Sequence, residues 1–182
     1  MEVTELPLSG LKLIRPRVFR DPRGFFVETY SEPRYHEAGI DARFVQDNNS
    51  LSAGGTLRGL HYQTAPGQAK LIRVVHGRIF DVALDIRPDS PTFGKWFGEF
   101  FDAEEHLQMF VPIGFAHGFC VVSDAAEVAY KVSSVYDAKT ERCLRWNDPD
   151  LGIAWPIAEP LLSARDQSAE SFRDFARRVR GS

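Results

Sequence analysis

Short apolar runs separated by glycine, proline, asparagine and aspartate recur along most of the chain. Runs of about four to eight residues bounded by such turn formers are typical of β-strands rather than of buried helices. The predicted strands cover residues 12–19, 25–30, 44–50, 56–63, 69–76, 78–86, 96–101, 108–111, 118–122 and 127–133. This many strands in one chain of 182 residues predict a single mainly β domain over 1–182, a sandwich or jelly roll with helices outside.

Apolar and acidic residues alternate along the segment 78–86. The apolar side chains share one face of the predicted strand: Phe80, Val82, Leu84 and Ile86. Asp81 and Asp85 fall on the opposite face, which indicates a strand with one side in the core and the other in solvent. Gly77 separates this segment from the preceding apolar run and predicts a tight hairpin between the two.

Two segments show helical spacing instead. Ser31 is predicted to cap a short helix that runs to Ala38, with Pro33 tolerated in its first turn. Ser168 is predicted to cap a longer helix, behind which four apolar residues recur at helical spacing: Phe172, Phe175, Ala176 and Val179.

Charge and cysteine content narrow the class of protein. The net formal charge is -3, and the nearest approach to a basic run, Arg177, Arg178 and Arg180, lies where cations favour a helix end. Neither nucleic acid nor a membrane surface is therefore expected as a partner.

Cys120 and Cys143 lack CxxC spacing and are predicted to be buried, unreactive thiols. The N-terminus lacks the apolar core of a signal peptide, and no apolar run suits a membrane span, so we expect a soluble cytoplasmic protein.

Several predicted strands carry polar residues where a packed core would not accept them. One strand places Gln46 and Asn48 on the same face, which meets either solvent or a polar cavity. The next places His61 and Gln63 on one face, and Lys70 begins the strand after it. The simpler interpretation of each is a solvated or hydrogen-bonded structural side chain. A chemical role requires that they point into one cavity.

Three later segments carry further candidates. His117 follows a PxGxxH spacing, in which the turn residues are expected to place it near the mouth of the fold. Tyr130 is either a packed aromatic residue or a general acid, because a phenol can return a proton to an enolate. Arg165 and Asp166 form either a surface ion pair or a functional pair, with Arg165 on an anion and Asp166 orienting a histidine.

The chain resembles the dTDP-4-dehydrorhamnose 3,5-epimerase family, in which matching strings occur in the same order. The strings are DPRGFFVETY, FVQDNNSLSAGGTLRGLHYQ, QAKLIRVVHGRIFDVALDIRPDSPTFGKW, VPIGFAHGFCV, AEVAYKVSSVY, ERCLRWNDPDLGIAWP and LLSARDQ. The resemblance implies a double-stranded β-helix (cupin) barrel and a homodimer in which N-terminal strands help to complete the partner's site. It implies epimerisation of dTDP-4-keto-6-deoxy-D-glucose at C3 and C5 to dTDP-4-keto-L-rhamnose, in dTDP-rhamnose biosynthesis, without metal or cofactor.

The resemblance also implies roles for individual residues. His61 of RGLH would be the base, oriented by Asp166. Tyr130 would donate the proton, and Lys70 would stabilise the oxyanion. The other matched positions would bind substrate, chiefly its nucleotide end: Arg23, Glu28, Gln46, Asn48, Arg58, Gln63, His117, Glu141 and Arg165. The candidates for the aromatic surface against thymine are Phe25 and Phe26.

Two positions depart from the simple pattern. This chain has Asn49 where the family usually shows the histidine of QDNHS. Strict alternation also places Arg58 and His61 on opposite faces of their strand. Both can reach one ligand only if Gly59 introduces a bulge, or if Arg58 acts at a subunit boundary.

Other functions remain open at this point. A metal-dependent cupin isomerase or oxygenase could use His61 and His117 as ligands. Gln63, however, stands where an HxH motif needs its second histidine, and two histidines with a glutamine bind a transition metal poorly. A sugar-nucleotide binding module would need no acid–base pair. An epimerase that acts at C3 alone or C5 alone, or a ketoisomerase on the same substrate, would share most of the strings.

Overall fold

The computed structural model describes residues 1–181, which form thirteen β-strands and three α-helices. The strands are β1 Glu2–Glu5, β2 Lys12–Arg15, β3 Val18–Asp21, β4 Gly24–Val27, β5 Gln46–Ala53, β6 Leu57–Gln63, β7 Lys70–His76, β8 Arg78–Asp85, β9 Trp96–Asp102, β10 Gln108–Val111, β11 Phe115–Val121, β12 Ala125–Val132 and β13 Glu141–Cys143. The helices are α1 Glu32–Glu37, α2 Ala164–Gln167 and α3 Phe172–Arg180. The predicted mainly β fold is confirmed.

Eleven of these strands form two antiparallel sheets that pack face to face. The six-stranded sheet has the order β1-β2-β10-β7-β12-β5, and the five-stranded sheet has the order β13-β6-β11-β8-β9. The main apolar cluster is filled from the inner faces of both, with residues such as Met109 and Val128 from the first sheet and Ile79 and Phe115 from the second. The result is a jelly-roll sandwich whose sheets are not hydrogen-bonded into a closed barrel. Strands β3 and β4 form a separate hairpin.

The strand predictions differ from the structure mainly at proline and at sheet edges. The predicted strand 12–19 is divided into β2 and β3 at Pro16, which cannot donate a backbone hydrogen bond. Strands β1 and β13 were not predicted, because they are short edge strands of mostly exposed or half-buried residues without an apolar run.

Strand β8 is buried on both faces, so its predicted solvent face is wrong. Asp81 and Asp85 are 0% exposed and point between the sheets, where hydrogen bonds to other side chains satisfy their carboxylates. The opposite, apolar face lies beneath the C-terminal segment, where it contacts Phe175 of α3. The hairpin predicted at Gly77 is also wrong, because β7 and β8 belong to different sheets. Gly77 instead passes the chain between sheets at φ +75°, and a Cβ there would collide with the carbonyl of Ala125.

The short predicted helix is confirmed as α1, and the longer one is confirmed as α3, although it begins later than predicted; α2, which precedes it, was not predicted. Ser163 caps α2 and Ser171 caps α3, while Ser168 lies at the C-terminal end of α2, so the predicted cap at Ser168 is wrong. The hydroxyl of Ser171 accepts a hydrogen bond from the backbone N–H of Asp174. Phe175 of α3 is buried as its spacing predicted. Among residues 1–181, no helix has the length and apolarity required to cross a bilayer.

Candidate active site

A cavity of about 440 Å³ lies between the two sheets and is lined by polar side chains from both. It brings together most of the site residues predicted from the sequence: Gln46, Asn48, Arg58, His61, Gln63, Lys70, His117, Tyr130, Glu141 and Arg165. Lys70 and His61 therefore line one cavity, and a shared cavity is what a chemical role for these residues requires.

His61 of β6 is paired with a buried carboxylate. Its Nε2 lies 2.6 Å from Oδ1 of Asp166, which is 3% exposed, and Ser163 donates a hydrogen bond to Oδ2 at 2.8 Å. Burial raises the pKa of Asp166, but the hydrogen bonds from His61 and Ser163 outweigh burial and hold that pKa below its usual range. Asp166 is thus an anion that holds a proton on Nε2, which leaves Nδ1 of His61 as the basic nitrogen.

The cap of α2 explains how Asp166 reaches this position. Ser163 accepts a hydrogen bond from the backbone N–H of Asp166 and donates one to its carboxylate. This reciprocal pairing fixes the first turn of the short helix and aims the carboxylate at β6.

Lys70, the first residue of β7, is a buried cation. It is 8% exposed, and burial lowers its pKa to about 8, although the negative charges of Asp81 and Glu141 oppose that shift. Most Lys70 side chains therefore remain protonated at pH 7. A charge held away from water acts strongly on an oxyanion placed beside it.

Tyr130 approaches the cavity from the sheet that faces His61. It lies on β12 of the six-stranded sheet, whereas His61 lies on β6 of the five-stranded sheet. Burial raises the pKa of Tyr130, and the positive charge of Arg58 opposes this shift. The phenol therefore keeps its proton near neutral pH. Its neighbour Lys131 pairs with Asp47 at 2.8 Å on the other face, as alternation along a strand requires.

His117 of β11 forms a second histidine–carboxylate pair. Its Nε2 lies 2.9 and 3.0 Å from the two carboxylate oxygens of Asp81. Burial lowers the pKa of His117, and the charge of Asp81 opposes that shift. Sequence reasoning missed Asp81, because strand alternation alone cannot distinguish a solvent-facing side from one that faces a polar cavity.

Arg58 and His61 both line the cavity because β6 carries the bulge at Gly59. The register of β6 against β11 shifts between these two residues. Gly59 has φ +127°, and a Cβ there would lie 2.5 Å from the Cα of Gly118. Only glycine fits this close approach of two backbones. Of the two alternatives that the sequence left open, the bulge at Gly59 is present in the structure.

The sequence profile described as dTDP-4-dehydrorhamnose 3,5-epimerase matches residues 5–174. This chain belongs to that family. A relative of this name from Neisseria gonorrhoeae is 50% identical over 173 residues, and the match covers 94% of this chain but 53% of the relative, so the chain spans about half of that protein's length. A relative from Streptomyces niveus named dTDP-4-dehydrorhamnose 3-epimerase is 42% identical, with 93% of this chain and 83% of the relative covered.

A solved structure supports the same assignment. The dTDP-6-deoxy-D-glucose-3,5-epimerase of Legionella pneumophila, in complex with dTDP-4-keto-L-rhamnose, is 45% identical with a TM-score of 0.92. The match covers 94% of this chain and 93% of that one. The family resemblance and the cupin-type β fold that it implied are therefore confirmed, as is the predicted enzyme class, since epimerases are isomerases.

One rim of the cavity in this epimerase-family chain is a hydrogen-bonded group of side chains. Arg165 forms an ion pair with Glu141, and its guanidinium lies 3.1 Å from Nε2 of His61. Tyr136 donates a hydrogen bond to Glu141 at 2.9 Å, and its backbone N–H donates to Gln46 at 3.0 Å. Tyr136 was not predicted from the sequence, because a single tyrosine in an exposed loop carries no local pattern.

Four predicted ligand residues lie outside the cavity. Phe25 and Phe26 of β4 are 55% and 68% exposed. Arg23, in the turn between β3 and β4, and Glu28, after β4, form ion pairs with neighbouring side chains away from the cavity. A single chain therefore does not bring these four residues to the other predicted ligands.

The family departure at Asn49 lies on β5 beside Asn48. The amide of Asn49 donates a hydrogen bond to Glu127 of the neighbouring strand β12 at 2.5 Å. The carboxylate of Asp166, which orients His61, accepts hydrogen bonds from other residues, among them His61 and Ser163. Asparagine at this position thus leaves the pairing of His61 intact.

Proposed function

We propose that this chain converts dTDP-4-keto-6-deoxy-D-glucose to dTDP-4-keto-L-rhamnose by inverting C3 and C5. One observation carries the proposal: the His61–Asp166 pair and the Tyr130 phenol enter one cavity from facing sheets, and the buried Lys70 ammonium lines the same cavity. Inversion of a carbon requires a base on one side of the sugar ring and an acid on the other.

The first requirement is to stabilise an enolate. The C4 ketone acidifies the hydrogens on C3 and C5, but a neutral imidazole is too weak to remove them unaided. Lys70 supplies its positive charge to the oxygen on C4 as negative charge develops there, which is worth several kcal/mol in a site sheltered from water. Protonated Lys70 is therefore the form that the reaction needs.

Proton transfer then proceeds between the two sheets. Nδ1 of His61 removes the proton from C3 or C5, and the Asp166 carboxylate stabilises the imidazolium that forms. Tyr130 donates a proton to the opposite face of the same carbon and is reprotonated from water. Acid and base steps of this kind contribute about 10² to 10⁴-fold each. His61 then releases the proton that it took to water, and the same groups invert the second carbon.

The remaining polar residues are proposed to bind the nucleotide end of the substrate. Arg58 and Arg165 offer guanidinium groups that suit a diphosphate. His117 donates from Nε2 to Asp81, so its Nδ1 is left to meet the ligand. Gln46 and Asn48 add amide groups from β5.

We propose a homodimer in which the β3–β4 hairpin completes the site of the other subunit. This assignment gives a role to Phe25 and Phe26, whose exposed rings lie outside their own cavity and suit stacking against thymine. Arg23 and Glu28 accompany them on the same segment.

The direct test of activity is product analysis after incubation with dTDP-4-keto-6-deoxy-D-glucose. We expect both centres to be inverted and the ketone to stay at C4. Inversion at one centre would identify a single-centre epimerase. Movement of the ketone away from C4 would identify a ketoisomerase. Binding of the substrate without turnover would identify a binding module.

The base is tested with folded variants of the same chain. His61→Ala should abolish turnover. The turnover of Asp166→Asn should lie between that of His61→Ala and that of the wild type, because the imidazole is still present but has lost the charge that orients it. Near-normal turnover by folded His61→Ala would overturn the assignment.

Shared sites are tested by mixing two inactive variants. A dimer of His61→Ala with Arg23→Ala has one site with both changes and one with neither, so random exchange of subunits should recover about a quarter of the wild-type activity. His61→Ala mixed with Lys70→Ala is the matched control, because both residues belong to one cavity and no site is restored. Equal results from the two mixtures would contradict a shared site.

A further inference from the structure

The proposed base has a neighbour that the mechanism does not use. The thiol of Cys143 on β13 lies 3.4 Å from Oδ1 of Asp166, the oxygen that also pairs with His61. One ring nitrogen of His61, Sγ of Cys143 and one carboxylate oxygen of Asp166 all lie within 4.8 Å of one another. Imidazole nitrogen, thiolate sulfur and carboxylate oxygen are the three donor types that zinc prefers in proteins.

The spacing of these atoms is close to that around a tetrahedral zinc ion. Bonds of about 2.0–2.3 Å place neighbouring donor atoms about 3.3–3.6 Å apart. The distance from Cys143 to Asp166 already matches at 3.4 Å, whereas Nε2 and Oδ1 at 2.6 Å must separate by about 0.7 Å. Rotation of the Asp166 carboxylate supplies a movement of this size.

The charge balance also suits a divalent cation. Before a cation binds, the Asp166 carboxylate contributes one negative charge, and the buried Cys143 thiol keeps its proton because burial raises its pKa. When a cation M²⁺ binds, the Cys143 proton leaves to water, and the proton on Nε2 moves to Nδ1. The product, with one carboxylate, one thiolate and neutral imidazole, has no net charge, which favours it in a buried place.

We propose that His61, Cys143 and Asp166 form an inhibitory binding site for a thiophilic divalent cation such as Zn²⁺. Metal on Nε2 forces the remaining imidazole proton onto Nδ1, the atom that must accept the proton of the sugar. Inhibition therefore rests on the proposed role of His61, whereas metal binding does not. The guanidinium of Arg165, 3.1 Å from Nε2, opposes the cation and must swing toward solvent, to which 48% of its side chain is exposed.

Cadmium, a spectroscopic substitute for zinc, tests the site without any need for activity. Titration of the metal-free protein with Cd²⁺ should produce an ultraviolet thiolate-to-cadmium absorption band that saturates at one cation per chain. The band should be lost in Cys143→Ser and kept in Cys120→Ser, which removes the other buried cysteine on β11. If Cys143→Ser does not fold, Cys143→Ala replaces it. A band of equal strength in the folded Cys143 variant, or none in the wild type, overturns the proposal.

Inhibition is measured on the same proteins. Zn²⁺ should stop turnover reversibly, with recovery on chelation, and loss of one direct ligand in Cys143→Ser should raise the half-inhibitory concentration by at least about tenfold relative to Cys120→Ser. Equal zinc sensitivity of the two variants overturns the site. A cadmium band in the wild type together with full activity in zinc supports metal binding and contradicts the role of His61 instead.

Discussion

Replacement of Lys70 by methionine should make the protein more stable and inactive. Burial lowers the pKa of Lys70 from 10.5 to about 8. At about 1.4 kcal/mol per pKa unit, this difference means that a charged Lys70 costs the folded protein about 3 kcal/mol at pH 7. Methionine has a similar length and no charge to desolvate, so the free energy of unfolding should rise by an amount approaching that value. Turnover should fall by at least about 10²-fold, because the oxyanion loses its cation.

The gain in stability should depend on pH in one direction. The folded protein binds the Lys70 proton less tightly than the unfolded chain does. Below pH 8 the lysine is charged in both states, so its cost is constant. Between pH 8 and 10.5 the folded state releases the proton first, and the cost shrinks until it disappears above 10.5. The difference in unfolding free energy between variant and wild type should therefore be greatest at pH 7 and small near pH 10.

Urea unfolding of both proteins between pH 7 and 10 measures this difference. Lys131→Met is the matched control, because Lys131 pairs with Asp47 on the outer face of the sheet, where loss of a surface pair changes stability by less than about 1 kcal/mol. A Lys70→Met protein that is less stable than the wild type at pH 7 would refute a net cost of the buried charge. A difference that does not shrink with rising pH would refute it as well.

Three other predictions concern the bulge, the buried carboxylate and metals. Gly59→Ala should cost several kcal/mol more than Gly24→Ala, because both glycines have φ +127° but only at Gly59 would a Cβ meet backbone atoms; equal losses on urea unfolding would contradict this role. The kcat/KM of the wild type should fall above about pH 8, because Lys70 loses its proton there. Asp81→Asn should shift that fall to lower pH, because it removes the charge that most raises the pKa of Lys70. An unchanged pH profile in Asp81→Asn would contradict this coupling between Asp81 and Lys70. Prolonged chelation and dialysis should leave turnover unchanged, and a loss that one divalent metal restores would favour the metal-dependent alternative.

The strands were predictable because apolar runs and turn residues are local signals, and the candidate site was predictable because the family strings name its members. The direction in which a face points is not local. Asp81 alternates with apolar residues as a solvent-facing carboxylate would, and only the second sheet shows that its side is interior. Gly77 marks a turn in the same way whether the chain stays in one sheet or crosses to the other.

Helix caps show the same limit. Ser163, Ser168 and Ser171 all precede helical residues, and each side chain can accept a backbone hydrogen bond. The choice among them depends on where Asp166 and Phe175 are anchored by other elements, which tertiary packing decides. The exposed rings of the β3–β4 hairpin carry no local signal of a partner surface.

We have proposed that one cavity inverts two carbons by transfer of protons between His61 and Tyr130. Conversion of dTDP-4-keto-6-deoxy-D-glucose by the wild-type protein in D₂O, followed by NMR of the product, tests it most directly. Each proton removed by His61 is replaced from a Tyr130 that exchanges with solvent, so deuterium should appear at both C3 and C5 with both centres inverted. Deuterium at only one of these carbons, or inversion without deuterium, would contradict the account.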